Sequence, residues 1–109
     1  MQVHQLADFR RKQRRICFDQ GELRQIFDIY SRRVARGEWR DYAIDHQAGM
    51  AVFSIFRHSC DAPLFRLVKR AGRGPRDEYL LTSGRQNLKQ ATTIAEVLAP
   101  LRPRLAPIA

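Results

Sequence analysis

The stretch 37–56 constrains the fold most, because the spacing of apolar residues changes at its first position. Ahead of Gly37, Leu23, Ile26, Phe27, Tyr30 and Val34 fall at i, i+3, i+4, i+7 and i+11, a single core-facing stripe of one helix. Asp19 and Glu22 stand three apart at its start, the spacing of a capping box. Arg32, Arg33 and Arg36 complement the helix dipole in the last turns, and Asp28 is placed to pair with Arg32. Gly37 suits the left-handed position just past the end. Beyond it the period is two: Tyr42, Ile44 and His46 alternate with Ala43 and Asp45, Ala48-Gly49 turns, and residues 50–57 read as a strand apolar on both faces. We expect 37–56 to hold the central hairpin of the domain.

The rest of the chain fits around that hairpin. Alternation over 14–18, with Ile16 and Phe18 on one face, predicts a short first strand. Ala62-Pro63 punctuates, 64–70 reads as a strand, 71–77 as a turn-rich loop, and 78–82 and 87–91 as strands around Ser83-Gly84. Thr93 and Glu96 open a short helix that turns Ile94, Val97, Leu98 and Leu101 inward, until Pro100, Pro103 and Pro107 stop it. The order β-α-β-β-β-β-β-α gives an α+β fold: a mainly antiparallel five- to six-stranded sheet with one long and one short helix packed on one face. The domain is expected over 14–101, behind a basic, flexible arm at 1–13 and ahead of a proline-containing tail at 102–109.

A chain of 109 residues is one domain by length. No apolar run approaches the ~18 residues of a membrane helix, and no apolar segment precedes the first arginines as a secretory signal would. The expectation is a cytoplasmic protein with no membrane partner. Cys17 and Cys60 do not form a C-x-x-C pair and read as buried small side chains or incidental thiols.

Charge is the strongest global signal. Twenty Lys and Arg face eleven Asp and Glu, for a net charge of +9, and only three of the twenty are lysine. Such a surface attracts polyanions, although an arginine-rich coding bias gives the same composition. The cations with least structural reason for their positions are Arg10, Arg11 and Lys12 in the arm, Arg14 and Arg15 directly after it, and Arg73 and Arg76 in the 71–77 loop. These are the candidate nucleic-acid contacts. Gly72 and Gly74 in that loop do not make a dinucleotide fingerprint, since the third glycine and the following helix are missing. A helix-turn-helix lacks its second helix.

The segment 18–64 resembles a family of small alphaproteobacterial proteins known as domain of unknown function 2794. The likeness rests on Phe18-Asp19, Glu22-Leu23, Tyr30, Val34-Ala35, the block GEWRDYAID starting at Gly37, the block AVFSIFR starting at Ala51, and Pro63-Leu64. Weaker similarity runs through Lys69-Arg70 and Leu88-Lys89 to the final helix, so that about four-fifths of the chain is covered. The resemblance implies a bacterial cytoplasmic protein and brings no activity, cofactor or catalytic residue with it.

Two constellations could carry chemistry. Glu38, Trp39, Arg40, Asp41, Tyr42 and Asp45 could line a polar cleft, but each has a structural use: Asp41 bonding a turn, Arg40 pairing with an acid, Trp39 anchoring the helix–strand junction. His46, His58 and Cys60 are metal-ligand types without a usual zinc spacing. No G-x-S-x-G, H-E-x-x-H or P-loop is present. The residues therefore point to a non-catalytic basic binding module, without cofactor or metal, whose partner is nucleic acid or an acidic protein. The alternative is a protein that self-associates, as a homodimer, through a sheet face left open by the helices.

Overall fold

The computed structural model describes residues 16–58 and 62–103. Asp19 begins the long helix α1, Gln20–Ala35, as the capping box predicts: the Glu22 N–H donates to Asp19 Oδ1 at 2.7 Å, and the Asp19 N–H donates to Glu22 Oε1 at 2.9 Å. At the other end Gly37 takes φ +74. The Gly37 N–H donates to Val34 O and the Glu38 N–H to Arg33 O, the paired bonds of a Schellman motif, so the last carbonyls are satisfied. The exposed Asp28–Arg32 pair forms at 3.6 Å.

After α1 come five strands: β1 Asp41–Gln47, β2 Met50–Phe56, β3 Phe65–Ala71, β4 Asp77–Ser83 and β5 Gln86–Ala91. They pair in chain order, each antiparallel to the next. The β1–β2 turn uses Gly49 at φ +75 and the β4–β5 turn Gly84 at φ +59. After β5 come α2, Ile94–Leu98, and a 3₁₀ turn, Ala99–Leu101. α1 and α2 lie on one face of the sheet, over Ala51, Phe53 and Ile55 of β2, Leu67 of β3, and Tyr79 and Leu81 of β4. Phe53 is fully buried at the centre, in ring contact with Phe18, Phe27, Tyr30 and Tyr42. The other face, with Val52, Ser54, Arg66, Val68, Glu78, Leu80 and Thr82, carries no helix.

Three expectations are corrected. The 37–56 hairpin is at the sheet edge, not its centre, since β3, β4 and β5 all add on the β2 side. Residues 16–19 form no strand; Ile16 and Phe18 are nevertheless buried, tucked under α1 against the sheet. The helix stripe is rotated: Ile29 is buried and Val34 is 40% exposed. The residue that α1 turns toward the body in its last turn is Arg33, whose guanidinium donates to Leu101 O from Nε and Nη2 at 3.2 and 2.9 Å. Of the two readings of Cys17, a buried side chain or an incidental thiol, the second fits: Cys17 is exposed, because the flanking Ile16 and Phe18 take the inward positions.

Candidate functional site

Charged side chains gather at the two ends of α1. At its start, Glu22 is buried, although the sequence presents it as a capping residue only. Its carboxylate also accepts from Lys69 Nζ of β3 at 2.6 Å and from the Tyr79 hydroxyl of β4. Lys69 Nζ donates further to Cys17 O at 2.9 Å and lies 4.0 Å from Asp77 Oδ2. Burial, then the hydrogen bond to Glu22, pushes the Tyr79 hydroxyl pKa well up. Every buried side-chain donor and acceptor among the described residues has a partner. The cluster joins helix to sheet and presents no open valence to a ligand.

The other end differs. Arg33 Nη1 donates to Glu38 Oε2 at 2.5 Å, and its guanidinium carbon sits 5.6 Å from the centroid of the Trp39 ring. That hydrogen bond, with the charges of Arg33 and Arg36, holds the Glu38 carboxyl below its usual range. Trp39 is buried and packs on Tyr30 and Phe65. Arg40 directly precedes β1 and Arg57 directly follows β2; the two strands' pairing ends at Asp41–Phe56, and the Arg40 N–H donates to Phe56 O at 2.9 Å. Both arginines thus leave the same end of the hairpin. With Val34, Gly37, Trp39 and His58 they line an open concavity of about 600 Å³.

The expected polar cleft is not one site. Glu38 and Trp39 act as scaffold, but Arg40 finds no carboxylate within 4.0 Å among the described residues, against the expectation that it pairs with an acid. Asp41 accepts from the Tyr42 N–H at 2.8 Å. Tyr42, though 41% exposed, stacks on Phe53, its plane within 3° of parallel. Burial, followed by the charge of Asp41, raises the Tyr30 pKa next to it. Asp45 is on the uncovered sheet face, in a shallow depression of about 230 Å³ with Gln47, Met50, Val52, Ser54, Arg66 and Val68.

Arg73 and Arg76 are exposed on the β3–β4 loop. Arg10, Arg11, Lys12, Arg14 and Arg15 lie outside the described residues, as does Cys60. His46 and His58 are at opposite ends of the β1–β2 hairpin, and among the described residues no group of three His, Cys, Asp or Glu could hold a metal. On the helix-covered face of the sheet Phe53 packs under α1 and Phe65 against Trp39, and Lys69 on that face is consumed by Glu22.

No helix among the described residues is long and apolar enough to cross a membrane. The model of the family described as Protein of unknown function (DUF2794) matches residues 16–98. The chain belongs to this family. Its matched span runs from Ile16 to the end of α2 and so takes in both ends of α1 and the whole sheet. No curated protein and no solved structure matches the chain.

Proposed function

We propose that this DUF2794 member is a non-catalytic basic binding module of the bacterial cytoplasm, meeting nucleic acid or an acidic protein. The observation that supports the reading is how unevenly the charges are matched. Glu22, Asp28, Glu38 and Glu78 are each in an ion pair. Arg36, Arg40, Arg57, Arg66, Arg73 and Arg85 are exposed with no carboxylate within 4.0 Å among the described residues. Cations left in this way raise the local concentration of any polyanion. Fluorescence anisotropy with labelled DNA and RNA across a salt series tests it. Binding should weaken by about 0.7–0.9 log unit per decade of salt for each phosphate neutralised. Failure to bind either probe at low ionic strength rejects the nucleic-acid form.

A second reading, self-association, is favoured by the uncovered sheet face, where Val52, Val68 and Leu80 lie with no helix over them. It expects a dimer that grows with concentration in light scattering; a monomer at all concentrations removes it.

A further inference from the structure

The concavity at the C-terminal end of α1 combines features that a merely solvated surface does not need. Arg40 and Arg57 project from one end of two neighbouring strands, where like charges repel and cost stability. Among the described residues neither has a carboxylate within 4.0 Å. The one acid nearby in sequence on the helix side, Glu38, is already held by Arg33. The negative end of the helix dipole is also muffled there, since the N–H groups of Arg36, Gly37 and Glu38 cap the last carbonyls. An anion entering the concavity therefore meets two guanidinium groups and no competing negative group of the lining.

Size and walls narrow the ligand. A volume of about 600 Å³ exceeds what a bare anion fills and is in the range of sites for small organic molecules. Val34 and Trp39 give it an apolar side, while Arg40, Arg57 and His58 give it a polar one. Arginine pairs bidentately with phosphate oxygens. We propose that this concavity is a phosphate site for one nucleotide unit, either free or within a single strand. Arg40 and Arg57 hold the phosphoryl oxygens, and the sugar or base rests against Val34 and Trp39. The proposal rests on the reading above, that the basic surface meets polyanions, and assigns it a particular place.

Trp39 is the sole tryptophan, so its fluorescence reports from inside the site. The full chain is titrated with a single-stranded oligonucleotide, with adenosine monophosphate and with inorganic phosphate, following Trp39 emission and, for the labelled strand, anisotropy. A saturable Trp39 response is expected, and Arg40→Ala/Arg57→Ala weakens binding by at least about tenfold. The equal-charge control Arg24→Ala/Lys89→Ala, with both residues exposed away from the concavity, weakens it by less than about threefold. A response to the mononucleotide as strong as to the oligonucleotide assigns the site to free nucleotides; a response to the strand alone assigns it to nucleic acid. Equal losses in the two double variants, or strand binding without a Trp39 response, overturn the site and leave the wider reading standing. No binding of any of the three probes overturns the site together with the nucleic-acid form of that reading. Thermal melts with and without ligand guard against a folding artefact: the Arg40→Ala/Arg57→Ala protein should melt no lower than wild type while losing the ligand-induced rise.

Discussion

At the first turn of α1 a carboxylate from the helix is enclosed with a lysine and a tyrosine from two strands. At the last turn, two arginines flanking the edge hairpin stand over an open hollow. Both ends are built from charged side chains, and the helix is properly capped at each. What separates them is access to water. Glu22 and Lys69 have side chains only 7% and 9% exposed, so each was taken out of water and must be answered by its partner. Arg40 and Arg57 remain hydrated and can stay unanswered at little cost. Charge that is enclosed is committed to the fold; charge left in the open is available to something else.

The largest effect that would break this contrast comes from Lys69→Met, which leaves Glu22 enclosed without its counter-charge. A loss of about 3–5 kcal/mol is expected in urea denaturation. A loss under 1 kcal/mol would mean that Glu22 is less dependent on Lys69 than the geometry indicates.

Tyr79→Phe should cost less, about 1–3 kcal/mol, since one donor to a carboxylate is removed. Its pH signature is more telling. The Tyr79 pKa is raised in the folded state, so the neutral hydroxyl is the form that folding favours. Its contribution is complete below the unfolded value of about 10 and is lost as pH rises above it toward the folded value. Denaturation midpoints should therefore fall above about pH 10 in the wild type and fall less steeply in the phenylalanine variant. Parallel curves for the two proteins would rule out the linkage.

The smallest effect belongs to the open end. Arg57→Ala should change stability by no more than about 0.5 kcal/mol, and in the favourable direction, since it removes the repulsion between the two arginines. A clear destabilisation would show that Arg57 is part of the scaffold.

Much of the first end was legible. Asp19 and Glu22 announced the cap by spacing, and Gly37 announced the stop. The enclosed ion pair was not, because its members lie 47 residues apart. A signal existed all the same: Lys69 continues the alternation of Phe65 and Leu67, and a lysine on an apolar strand face needs a buried acid. At the other end, the two-residue turn at Ala48-Gly49 sets positions equidistant from it opposite each other, which brings Arg40 and Arg57 together. The sheet-edge position of that hairpin had no such marker, since nothing local says on which side later strands add. Ile16 and Phe18 misled in another way. Alternating burial is shared by paired strands and by a segment merely pressed under a helix, and only the second is found here.

The order of the strands has a consequence in time as well as space. Each strand of this meander joins its immediate predecessor, so the sheet can zip up by closing short loops, at small entropic cost. Glu22, by contrast, meets Lys69 and Tyr79 only across sequence separations of 47 and 57 residues. α1 can therefore be locked only once β3 and β4 stand side by side. In stopped-flow kinetics the Lys69→Met protein should accordingly unfold faster while folding at nearly the wild-type rate, the mark of a fastening made at the end of assembly.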